Sequence, residues 1–71
     1  MNENILFAFG QRVRKLRLER CLSQEELADK CGLHRTYISD VELGKRNVSL
    51  ENIARIAESL EISLPNLFLE V

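Results

Sequence analysis

From Arg35 to Asp40 the chain reads Arg-Thr-Tyr-Ile-Ser-Asp. On a helix, Ile38 faces inward and Arg35, Thr36, Ser39 and Asp40 face outward, with Tyr37 on the flank. The outward groups suit the edges of DNA bases. A guanidinium offers parallel N–H groups to guanine O6 and N7, a threonine packs on a thymine methyl, and serine serves either edge. Asp40 is less comfortable beside DNA, although a carboxylate can accept from cytosine N4. Just beyond, Gly44-Lys45-Arg46-Asn47 supplies two cations and an amide side chain, groups that suit phosphate oxygens. Upstream, Gln24 stands at the start of another helix, whose free amides also suit an anion. Read singly, each of these residues is ordinary solvated surface. Their meaning comes from the elements that carry them.

Other chemistries find little support. There is one histidine, His34, with no paired acids at a productive spacing and no glycine-rich phosphate loop, so no enzyme is expected. Cys21 and Cys31 lie ten apart, which is neither a CxxC pair nor a metal spacing. A set of Cys21, Cys31 and His34 is therefore a poor metal site. Cys31 reads as a small buried apolar residue. No cofactor, metal or small-molecule ligand is expected.

The elements follow from apolar spacing, which is helical nearly throughout and nowhere strand-like. Five helices are predicted. The first runs from about Asn4 to Glu19, with Phe9, Val13 and Leu16 inward. Gly10 sits inside it at a loss of about 1 kcal/mol against alanine. Ser23-Gln24-Glu25-Glu26 announces the second through a capping box. Its core face is Leu27, Ala28 and Cys31, and Gly32 ends it. The third runs from about Arg35 to Leu43, with Ile38 and Val41 inward and Gly44 as its stop. The fourth follows Ser49, a second N-cap, with Leu50, Ile53, Ala54, Ala57 and Leu60 on one face. The fifth is short, from about Leu64 to Phe68, with Pro65 in its first turn.

Only about three residues, Gly32-Leu33-His34, join the second helix to the third. That is the layout of a helix-turn-helix, whose second helix can enter a DNA major groove. The tight corner needs apolar residues at Leu27, Cys31, Leu33, Ile38 and Val41, a small one at Ala28, and one tolerant of positive φ at Gly32. All are in register.

Size and charge fit this reading. The 71 residues, 45% hydrophobic and 30% charged, make one globular domain over residues 1–71. Ile5-Leu6-Phe7-Ala8-Phe9, the longest apolar run, is far short of the roughly 20 residues that span a bilayer. No membrane association is expected, and the cytoplasm is the expected compartment. The net charge is −1, but it is unevenly spread. Residues 1–46 carry nine Lys/Arg against seven Asp/Glu, and residues 47–71 carry one against four. A weakly acidic protein can still present a basic face.

Leu22-Ser23-Gln24-Glu25-Glu26-Leu27-Ala28, Tyr37-Ile38-Ser39 and Glu42-Leu43-Gly44-Lys45-Arg46-Asn47 together resemble the Cro/phage-repressor (XRE) helix-turn-helix family over about residues 6–69. The Arg35–Ser39 stretch and the following Arg46-Asn47 are most similar to the controller proteins of restriction–modification systems. The resemblance implies an all-α, compact five-helix lambda-repressor-like domain that binds double-stranded DNA. It implies a homodimer through the C-terminal helix, acting on a pseudo-palindromic operator upstream of its own gene, first activating and later repressing. Base readout falls to Arg35, Thr36, Tyr37 and Ser39, with phosphate or minor-groove contacts from Gln24, Arg46 and Asn47. An Arg17–Glu42 pair linking the first helix to the third is also implied. Two positions depart from the pattern: Cys21 and Asp40 stand where glycine is usual. Cys21 is therefore expected in a left-handed conformation with some strain. No ligand-sensing or protease domain is expected beyond residue 71.

Leu64, Leu67 and Phe68 form the expected dimer seam. The same C-terminal cluster, with Leu69, would also serve an antitoxin of this fold that binds a partner toxin and autoregulates its operon.

Overall fold

Three serines start three of the helices. The Ser23 hydroxyl accepts from the Glu26 amide at 3.0 Å while the Ser23 amide donates to Glu26 Oε1 at 2.8 Å, completing the expected capping box. Ser49 and Ser63 likewise accept from the amides of Asn52 and Asn66. Each bond satisfies an amide that would otherwise lack a partner in the first helical turn. The backbone amide of Ser23 holds the Glu26 carboxyl below the usual carboxylate range, with the Ser23 hydroxyl adding to it.

The structure is a computed structural model that describes residues 4–71. It contains α1 (Asn4–Glu19), α2 (Gln24–Cys31), α3 (Arg35–Glu42), α4 (Leu50–Ser59) and α5 (Leu64–Leu67). No strand is present among the described residues. The all-α, five-helix architecture expected from the sequence is the one observed.

Helix ends share one device. Cys21, Gly32, Gly44 and Glu61 all have positive φ, from 58° to 76°. The residue after each returns its amide five positions back: Leu22 to Arg17 O, Leu33 to Ala28 O, Lys45 to Asp40 O and Ile62 to Ala57 O. This is the Schellman closure, which pairs carbonyls left over at a helix end. Cys21 is left-handed as expected, at φ 58°. Glu61 does the same with no sequence signal.

The core gathers Phe9, Val13 and Leu16 from α1, Leu27, Ala28 and Cys31 from α2, and Ile38 and Val41 from α3. Ile56 and Ala57 from α4, Leu60 at its C-cap and Leu67 from α5 complete it. Gly10 is the point where α1 crosses α3. A Cβ there would overlap the Val41 carbonyl oxygen, so close approach of two backbones explains a glycine inside a helix.

Two expectations need correction. The inward stripe of α4 is Ile53, Ile56, Ala57 and Leu60, whereas Leu50 is 76% exposed and Ala54 is exposed. Both stripes have helical spacing, so only the packing of α4 on α2 and α5 selects the rotation. Leu67 is not a seam residue: it is fully buried in the chain's own core. Leu64 and Phe68 remain 41% and 43% exposed. The Phe68 ring also packs 5.6 Å from that of Phe9, tying the chain end to α1.

Candidate nucleic-acid interface

The corner between α2 and α3 is built from both ends. Gly32 turns the chain at φ 71°, and Leu33, packed against the core, sends its amide back to Ala28 O at 2.9 Å. His34 takes the N-cap position of α3 with no side-chain cap bond. Ile38 and Val41 anchor α3 from below. This anchoring leaves Arg35 and Thr36 exposed in the first turn, with Ser39 and Asp40 half-buried one turn on.

Tyr37 is less free than its sequence position suggests. It packs against the core, and its hydroxyl oxygen accepts from Asn52 Nδ2 on α4 at 3.0 Å. The phenolic proton is left to donate elsewhere. The Arg46 guanidinium lies over the Tyr37 ring, 4.8 Å from its centroid, in cation–π contact. Arg46 Nε is also 3.6 Å from Asp40 Oδ2. Asp40, expected to accept from a base, is thus turned toward Arg46. Tyr37, Asp40 and Arg46 form one unit linking α3 to the following loop. Lys45 and Asn47 are exposed on either side of Arg46.

Behind this surface lies the expected Arg17–Glu42 pair. Arg17 Nε donates to Glu42 Oε2 at 2.7 Å and Nη2 to Oε1 at 3.1 Å, a bidentate contact between side chains only 9% and 3% exposed. Arg17 Nη1 donates to the Leu22 carbonyl at 2.7 Å. Gln24 joins the same carboxylate, donating from Nε2 to Glu42 Oε1 at 3.0 Å. Its own Oε1 accepts from Arg35 Nη1 at 3.2 Å.

The structure therefore brings most of the expected residues together around α3, and it adds two contacts that sequence reasoning missed. Asn52, in the first turn of α4, orients Tyr37. Glu42 was expected to pair with Arg17, not to reach Gln24. Neither contact has a local signal, because the partners are 15 and 18 residues apart. Cys21 is exposed and Cys31 buried, both as free thiols, and burial pushes the Cys31 thiol up. Among the described residues no cluster of His, Cys, Asp and Glu could hold a metal, and no helix is long and apolar enough to cross a membrane.

The helix-turn-helix family matches residues 13–67, which include the α2–α3 corner and all of α4 and α5. The chain belongs to this family of DNA-binding regulators. Its relatives within the family include the control protein C.BamHI of Bacillus amyloliquefaciens, 56% identical over 87% of this chain and 78% of that one. The control protein C.MunI of Mycoplasma sp is 47% identical over 100% of this chain and 96% of that one. The crystal structure of the restriction–modification controller protein C.AhdI from Aeromonas hydrophila superposes with a TM-score of 0.89. It is 51% identical, covering 92% of this chain and 98% of that chain. Like other members, this protein is a helix-turn-helix transcription regulator, and the family is not one of enzymes.

Proposed function

We propose that the protein is the controller of a restriction–modification system, a homodimer that binds a pseudo-palindromic operator and regulates its own gene. The observation that carries this reading is the exposed first turn of α3, where Arg35 and Thr36 face outward above a buried ion pair, with Arg46 alongside on the Tyr37 ring. Arg35, Thr36, Tyr37 and Ser39 read base edges in the major groove. Asp40 contributes through its hold on Arg46. Lys45, Arg46 and Asn47 contact the backbone and set the docking register, with Gln24 beside them at the start of α2.

The dimer seam is formed by Leu64 and Phe68 with the neighbouring exposed Leu69, Val71 and Ile5. An exposed apolar surface of this kind on a small domain is a protein-binding face. In a two-fold dimer two recognition helices lie about 34 Å apart, one turn of DNA. Residues 1–71 act as one domain in the cytoplasm, needing no cofactor, small-molecule ligand or catalytic group. Similarity to control proteins of restriction–modification systems supports a regulator of this kind over an antitoxin.

Selection of bound sites from random DNA tests the reading. The expected product is a pseudo-palindrome with half-sites one helical turn apart. Recovery of no enriched sequence, or of a lone half-site, refutes it.

A further inference from the structure

Gln24 stands where a phosphate contact is expected, yet both ends of its amide are engaged within the protein. On one side Nε2 donates to Glu42 Oε1, and on the other Oε1 accepts from Arg35 Nη1. The Glu42 carboxylate is buried and bonded through both oxygens. Its two oxygens take Nε and Nη2 of Arg17, whose remaining nitrogen is committed to the Leu22 carbonyl. A carboxylate only accepts, and a guanidinium only donates. The amide between them has one workable orientation, NH2 toward Glu42 and oxygen toward Arg35. Rotated by half a turn, it would set oxygen against carboxylate and NH2 against guanidinium.

We propose that Gln24 is a positioning residue for base readout, through which the buried Arg17–Glu42 pair holds Arg35 in the conformation that reads DNA. The proposal rests on the reading that Arg35 contacts a base. With Nη1 tied to Gln24, the Nε–Nη2 edge of Arg35 is the one presented to guanine O6 and N7, in the side-on fork that bidentate pairing uses. Arginine has many rotamers, and holding one before DNA arrives removes most of the ordering that binding would otherwise require. A chain of contacts runs from α1 (Arg17) through α3 (Glu42) and α2 (Gln24) back to the first residue of α3 (Arg35). Base recognition thereby depends on correct assembly of all three helices.

Replacing Gln24 by Met keeps the length and removes the amide. Gln24 is only partly buried, so the variant folds, which circular dichroism checks. Binding is measured for Gln24→Met, Arg35→Ala and the double variant, on the selected operator, on operators with each base pair changed, and on random DNA. The Gln24→Met operator affinity is expected to fall about 2- to 12-fold per half-site, the ordering of one long side chain. Affinity for random DNA changes little. Discrimination is lost at the same base pair as in Arg35→Ala, and the double variant binds operator no more weakly than Arg35→Ala alone. A Gln24→Met protein that loses equally on operator and random DNA, with Arg35 present or absent, overturns the proposal in favour of a plain phosphate contact. Unchanged binding also overturns it. If Arg35→Ala itself keeps every base preference, the base-reading assignment fails instead, and the two failures are distinct.

Discussion

Glu42→Ala strikes the most heavily loaded contact in the molecule. It removes both bidentate bonds to Arg17 and the bond from Gln24, and leaves the Arg17 charge on a side chain only 9% exposed. An exposed ion pair of this kind would be worth about 1 kcal/mol or less. Breaking a buried one by deleting a single partner costs about 3–5 kcal/mol, because a charge remains without compensation. Arg17 keeps its bond to the Leu22 carbonyl and can reach water by a small shift, which places the expected loss at about 2–4 kcal/mol. A domain of this length is worth roughly 4–10 kcal/mol in total. Urea unfolding followed by helical circular dichroism should therefore show a large drop in the midpoint with the slope preserved. A companion variant, Arg17→Met with Glu42→Met, removes both charges and should recover much of the loss. A Glu42→Ala loss below about 0.5 kcal/mol would mean that water screens the pair and that burial here has been misjudged.

Other outcomes follow from single positions. Cys21→Gly relieves a left-handed residue at φ 58° and should raise stability by about 1 kcal/mol, read as a higher melting temperature; a clear fall means the exposed thiol is packed. Leu64→Glu, at an exposed position in the first turn of α5, should give a folded monomer by sedimentation, whereas Leu67→Glu places a carboxylate in the core and should unfold the chain; a persisting Leu64→Glu dimer moves the seam elsewhere. Arg35→Ala should relax the preference at one G·C pair at a loss of about 1–3 kcal/mol per half-site. Arg46→Ala should instead weaken all DNA alike and lower the salt slope by about 1, so identical salt and sequence profiles for the two variants would refute the division of roles. The Glu26 carboxyl lies below its usual range in the folded chain, so its share of stability is present above the unfolded value and disappears as pH falls through the folded one. Glu26→Gln should flatten the acid limb of the melting profile, and an unchanged limb would remove the carboxylate from the account.

Helix boundaries and the helix-turn-helix were legible in the sequence because their causes are local. The Ser23–Glu26 box closes within three residues, Gly32 supplies its own positive φ, and Leu27, Cys31, Ile38 and Val41 take their register from helical spacing. The outward face of α3 followed from the same spacing, since Thr36, Ser39 and Asp40 lie on the side of the helix away from Ile38 and Val41. Tertiary structure decided whatever depends on a distant partner. Leu50 and Ile56 are equally apolar, and only contact with α2 and α5 rotates one outward and the other inward. Leu67 and Phe68 are adjacent, yet one fills the core and the other lies half at the surface. Arg46 could have pointed anywhere in its loop until the Tyr37 ring and the Asp40 carboxylate settled beside it. The orientation of Gln24 depends on a carboxylate 18 residues away and a guanidinium 11 residues away. A helical period states which side of a helix is wet and which is dry. It says nothing of which charged group will stand opposite, because that choice is made by packing α1, α2 and α3 around Glu42 at once.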